Sequence, residues 1–307
     1  MVPNSPITLK YATLSNNETY AYREAGISER TLFLLHGNFT TSLFFEPFML
    51  KMSKSFRVIA PDMRGFGHST YNTSIDSFED ICDDIKEFLE SLHIKKISLL
   101  GWSLGGPVAL LFASKYPTYI ENLITVGSVG PKGTMLKDTE GVLMKTKEDF
   151  LACQAIQGSI KMIETKDETI LKWFLVNAGF QGKEVPSEEK IKEYIEEIKL
   201  QRNVLDVFYA LNSFNITDEF NGICEGTGQI EKIQGPCLFI HGNQDVNVKT
   251  TCSLELKEYV KQGEVKIIEG GRHFLFEAPY MEKVAKLVKD FIGKEECGKP
   301  EREEARK

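Results

Sequence analysis

The chain contains no apolar run approaching the ~18 residues that a membrane-spanning helix needs, and its opening "MVPNSPITLK" lacks a charged head followed by an apolar core. A cytoplasmic protein without a membrane span is the expectation. Six cysteines (Cys82, Cys153, Cys224, Cys237, Cys252 and Cys297) are scattered, with no C-x-x-C pair and no cysteine–histidine spacing suited to zinc. Neither a metal site nor a disulfide framework is expected, the latter being a device of smaller chains. Basic stripes are also missing and the net charge is −7, which argues against a nucleic-acid backbone as partner. No internal repeat is present, and the composition holds nothing that speaks to oligomeric state.

What is present suits a large soluble domain: 307 residues, 42% of them hydrophobic and 26% charged. "ITLKYATL" and "TYAYREAG", separated by "SNNE", read as an antiparallel hairpin. Six blocks then follow: "TLFLLHG", "FRVIAPD", "KISLLGWS", "NLITVGS", "CLFIHGN" and "EVKIIEGG". Each is a continuous apolar run of strand length, as expected for strands covered on both faces. Helical periodicity lies between most of them. In "SIDSFEDICDDIKEFLESLH", Phe78, Ile81, Cys82, Ile85, Phe88, Leu89 and Leu92 recur at spacings of three and four. "TTCSLELKEYVK" and "PYMEKVAKLVKDFI" repeat the pattern. Strand alternating with helix implies an α/β fold with a mostly parallel sheet of about eight strands and helices on both faces.

The alternation lapses from residue 131 to 229, where only helical patterns are found. A run of that length is too long for a plain connection. It is expected to form a helical cap on a core made of residues 1–130 and 230–293, with 294–307 a disordered tail of almost pure charge. In the cap, "SEEKIKEYIEEIKLQRNVLDVFYALNSF" places Ile191, Ile195, Ile198, Leu205 and Phe208 on one helical face. Trp173, Phe174, Phe180, Phe208 and Phe214 are candidates for an acyl pocket, although aromatic residues at helical spacing more often form core.

Ser103 closes an apolar block and opens a helical one within "GWSLGG". A serine in so tight a turn is pushed clear of the backbone, and Gly101 and Gly105 keep side chains out of the space it needs. By composition a chain of this length shows G-x-S-x-G by accident about one time in ten, so the pattern needs partners. A serine nucleophile requires an oriented base. Of five histidines, His36 and His241 lie within strand blocks, His68 in a loop, and His93 at a helix end. His273, in "GGRHF" after the last strand, is the expected base. Asp245, in "GNQD" after the preceding strand block, is the expected acid, whereas Asp62 precedes the serine and suits the "DMRGFG" turn. Oxyanion donors are expected from the backbone N–H of Leu104 and from the loop "HGNFTTS", through Asn38 with Phe39 as the fallback.

The ordered set "LLHGN", "APDMRGFGHS", "GWSLGG", "GNQD" and "GGRHFLFEAP" resembles the α/β-hydrolase superfamily, and within it the cofactor-free serine esterases and lactonases. That resemblance implies attack by Ser103, an acyl-enzyme, and hydrolysis by water activated at His273. The implied substrate is a small, fairly apolar carboxylic ester, with a lactone as the closest variant and no cofactor. Members that act on epoxides or haloalkanes use an aspartate at the turn, which Ser103 replaces. A ligand receptor with vestigial catalysis on the same fold, and a perhydrolase or carbon–carbon bond hydrolase using the same triad, stay open as alternatives.

Overall fold

A computed structural model describes residues 7–297 of the chain, with side chains described to residue 293. Eight strands form one sheet: β1 (Thr8–Thr13), β2 (Thr19–Ala25), β3 (Thr31–Leu35), β4 (Arg57–Pro61), β5 (Ile97–Trp102), β6 (Ile120–Val126), β7 (Cys237–Gly242) and β8 (Gly263–Ile268). Their spatial order is β1-β2-β4-β3-β5-β6-β7-β8. The hairpin β1–β2 and the pair β2–β4 are antiparallel, and every later pairing is parallel. This is the expected α/β architecture.

Side chains alternate across the central strands with period two. Phe33, Leu35, Ile97, Leu99, Leu123 and Phe239 enter one apolar layer, whereas Leu32, Leu34, Leu100, Trp102, Ile124 and Ile240 enter the other. The first layer is closed by α2 (Phe78–Ser91) and α3 (Gly105–Lys115), and the second by α1 (Glu46–Met52) and α10 (Met281–Cys297). Both layers are needed, because β3 and β5 have no exposed residue to turn toward water. Strand β8 departs from the expectation: as the last strand of the sheet it leaves its middle residues partly or fully exposed. Helix α1 lies in a stretch for which the sequence pattern offered no reading.

Between β6 and β7 the described residues hold α4 (Lys147–Ala152), α5 (Gln154–Thr165), α6 (Glu168–Phe174) with a π turn after it, α7 (Glu188–Ile198) and α8 (Val204–Ser213). The long helix read over residues 187–214 is two helices. The chain leaves α7 after Ile198, and from α8 it is Val204, Val207, Ala210 and Leu211 that are buried, whereas Leu205 and Phe208 are only half-buried. The reason is polar: Gln201 and Asn203 are buried and turn their amides toward the sheet-end loops instead of continuing the helix. At the other end of the chain, α10 runs to Cys297, so the first residues read as tail are helical. The rest of that tail lies outside the described residues.

Candidate active site

Ser103 sits between the last residue of β5 and the first turn of α3 with φ +54°, in the left-handed region that a non-glycine residue enters at a cost of about 1–3 kcal/mol. Three neighbouring glycines make the turn possible. A Cβ on Gly101 would lie 2.1 Å from the Gly105 carbonyl oxygen, and one on Gly105 would lie 2.2 Å from that of Leu35. One on Gly106 would lie 1.9 Å from Ser128 Oγ. Hydrogen bonds from the Ser103 N–H to the Val126 carbonyl (3.0 Å) and from the Gly106 N–H to the Ser103 carbonyl (3.0 Å) hold the strained residue in place.

The structure brings the three side chains expected from sequence together. His273 Nε2 is 2.9 Å from Ser103 Oγ, and His273 Nδ1 is 2.7 Å from Asp245 Oδ2. An ionised carboxylate only accepts, so the proton on the ring belongs to Nδ1 and Nε2 is left to accept from the serine hydroxyl. The residues arrive from three strand ends, β5, β7 and the turn after β8, which is why they are far apart in the chain and adjacent in space. Gly127, after β6, has φ +53° and would carry a Cβ only 3.3 Å from Asp245 Oδ2.

Asp245 is fixed as well as paired. Its Oδ1 accepts from the N–H groups of Asn247 and Val248, both at 2.9 Å, and His241 Nε2 lies 3.5 Å from Oδ2. Burial alone pushes this carboxyl up, but its electrostatic interaction with His273 and the hydrogen bonds from His241, His273 and the Val248 N–H outweigh it and hold the group well below the usual carboxylate range. It therefore stays ionised at neutral pH.

The other four histidines lie elsewhere. His36 is fully buried, with Nδ1 2.8 Å from the Gly37 carbonyl and Nε2 accepting from the Met63 N–H at 3.0 Å. His241 is held between Ser253 Oγ and the Val248 carbonyl, His68 meets Glu197, and His93 is exposed after α2. Asp62 accepts from the N–H and hydroxyl of Ser42, in the segment before α1, and from the His68 N–H of its own turn.

On the donor side, Leu104 lies at the start of α3, and among the described residues its N–H has no acceptor. The N–H of Asn38 is likewise unclaimed within the described residues. Phe39, the fallback, has its N–H engaged by Asn38 Oδ1 (3.0 Å) and Gln201 Oε1 (3.1 Å). Within the described residues the N–H groups of Leu104 and Asn38 are thus both without an acceptor, and Gly37, the residue before Asn38, comes up against Ser103: a Cβ on it would lie 3.2 Å from Ser103 Cβ.

With this geometry in view, the chain can be set beside known proteins. Residues 30–279 match the model of the alpha/beta hydrolase fold family. The chain belongs to that family. It is 25% identical to human serine hydrolase BPHL over 276 residues, covering 88% of this chain and 82% of that protein. It is 24% identical over 245 residues to the 2-hydroxymuconate semialdehyde hydrolase of Pseudomonas sp. (strain CF600), covering 80% of this chain and 79% of that one. Among solved structures, the enol-lactonase from Burkholderia xenovorans LB400 superposes with a TM-score of 0.71 over 92% of this chain and all of that one, at 16% identity. The family and its named members make this chain a hydrolase.

Two site residues were not foreseen in these roles. Trp102 turns its indole into the layer behind the site and donates from Nε1 to the His273 carbonyl at 3.1 Å, fixing the loop that carries the imidazole. Gln201 reaches Asn38 and Phe39 from the segment between α7 and α8. The tryptophan inside "GWSLGG" stands out in the sequence but its distant partner does not, and a lone glutamine in a helical run signals neither. Of the five aromatic pocket candidates, Phe174 and Phe208 approach Phe39, with ring centroids 5.1 and 6.1 Å away. Phe180 packs on Phe274, Phe214 on Phe78, and Trp173 is exposed.

Proposed function

We propose that the protein is a serine hydrolase that cleaves a carboxylic ester through an acyl-enzyme, with Ser103 as nucleophile, His273 as base and Asp245 as its orienting acid. The observation that carries this reading is the continuous hydrogen-bond line Ser103 Oγ, His273 Nε2, His273 Nδ1, Asp245 Oδ2. Ser103 Oγ attacks the ester carbonyl carbon while His273 Nε2 takes the hydroxyl proton. The oxyanion then formed accepts from the N–H groups of Leu104 and Asn38, each such donor being worth ~10²- to 10³-fold in rate. Collapse breaks the C–O bond to the alcohol, which takes the proton from His273 as it departs, and the acyl group stays esterified to Ser103. Water attacks that acyl group, gives a proton to His273, and releases the acid and the free serine. No cofactor enters any step.

Residues 131–229 act in this reading as a cap on the core of 1–130 and 230–293. Phe39, Phe174 and Phe208 would present an apolar wall to the acyl chain, which favours a small or medium-sized, uncharged ester, with a lactone as its cyclic form. Exposure to a fluorophosphonate, followed by peptide mass mapping, tests the reading. A single adduct on the peptide containing Ser103 is expected, whereas an unlabelled chain or an adduct on another serine overturns it.

A further inference from the structure

The loop after β3 is held from across the molecule by one short stretch of chain. Thr41 Oγ1 donates to Glu197 Oε2 at 2.6 Å, and Glu197 Oε1 also accepts from Arg23 Nη2 at 3.0 Å. Four residues on, Gln201 makes a two-sided contact: its Oε1 accepts from the Phe39 N–H at 3.1 Å, and its Nε2 donates to Asn38 Oδ1 at 2.8 Å and to Asn203 Oδ1 at 3.1 Å. Asn203 in turn donates to the Arg64 carbonyl at 2.8 Å. Gln201 is buried, its amide is fully used, and its orientation is forced, because the Phe39 N–H can meet only the oxygen end. Phe39 itself has φ +55°, a strained conformation that persists only where surroundings impose it.

From this geometry we infer that Gln201 is a positioning residue for the oxyanion hole. By engaging the Phe39 N–H and drawing the Asn38 side chain inward, it holds the Asn38–Phe39 turn in the one conformation that leaves the Asn38 N–H open beside Ser103. The inference rests on the ester-hydrolase reading, and assigns to the segment between α7 and α8 a part in transition-state stabilisation in addition to any part in binding. Loss of Gln201 releases the turn, and the donor is lost from its position although no atom of it has been removed.

The test uses Gln201→Met, which nearly keeps side-chain volume while removing all three hydrogen bonds, on the full chain with the aryl ester it turns over fastest. A kcat reduced by roughly 10- to 100-fold is expected, with KM changed less than about 3-fold, because a misplaced oxyanion donor weakens the transition state more than the ground state. Affinity for a trifluoromethyl ketone, which forms the same oxyanion, falls in parallel. Asn38→Ala keeps the backbone N–H but breaks the same contact from the other side, so it reproduces the loss even if the Gln201 variant does not fold, and the double variant is no slower than the worse single one. Wild-type kcat in either single variant, losses confined to KM, or additive losses overturn the inference. If turnover by the wild type proves independent of Ser103, the ester-hydrolase reading fails and takes this one with it; a neutral Gln201→Met on a Ser103-dependent enzyme sinks this one alone.

Discussion

Strand β5 enters the candidate site with every residue buried, whereas α6, in the helical segment, leaves Ile170 and Trp173 open to solvent, Trp173 at 65%. The turns at the sheet ends are as constrained as the strands: Ser103, Phe39 and Gly127 all have positive φ, and Gly101, Gly105 and Gly106 have no room for a methyl group. The helical segment is assembled differently, from short helices with side-chain caps at Thr146, Asp167 and Ser187 and from exposed ion pairs such as Lys172–Glu188. Such pairs are worth little individually. The contrast teaches that the turn around Ser103 is fixed by the sheet with little tolerance, whereas the helical segment reaches that end of the sheet through buried amides such as Gln201, which bond back to the loops.

The comparison can be strained most severely at His273. In the ester-hydrolase reading His273→Ala leaves Ser103 without a base and is expected to lower kcat by ~10⁴-fold or more, measured by ester turnover with the fold checked by circular dichroism. Gly105→Ala comes next. Its new methyl must displace the Leu35 carbonyl, so a loss of about 1–3 kcal/mol in denaturant unfolding is expected together with reduced turnover; wild-type values would show the turn to be looser than described.

A smaller effect lies in acid. Asp245 titrates below the usual carboxylate range in the folded chain, so its contribution to stability is complete above the unfolded pKa of about 3.9 and declines as pH falls below it. Denaturation midpoints should therefore fall below about pH 4, and less steeply in Asp245→Asn. Trp173→Ala, on the tolerant side of the comparison, should shift stability by no more than about 0.5 kcal/mol. A larger loss would mean that the exposed face of α6 is covered by something else in solution.

Strands β3 to β7 could be read from the chain because apolar blocks covered on both faces have little else to become. β8 could not be read to the same depth, since its last-in-order position lets polar residues such as Glu264 and Lys266 occupy it. That Ser103, Asp245 and His273 come together was legible because an ordered sheet confines such candidates to its strand ends. Trp102 and Gln201 were not, because their contacts span 171 and 163 residues and no local pattern encodes a partner so distant. The break between α7 and α8 was hidden for the same reason: residues 199–203 carry no proline or glycine, and only the far-off loops give their amides a reason to leave the helix.

The most direct measurement is turnover of an aryl ester series of graded acyl length by the wild-type chain beside Ser103→Ala. A drop in kcat of ~10⁴-fold or more, with the fold retained by circular dichroism, is what a serine nucleophile at this turn predicts. Turnover by Ser103→Ala within about tenfold of wild type would contradict it.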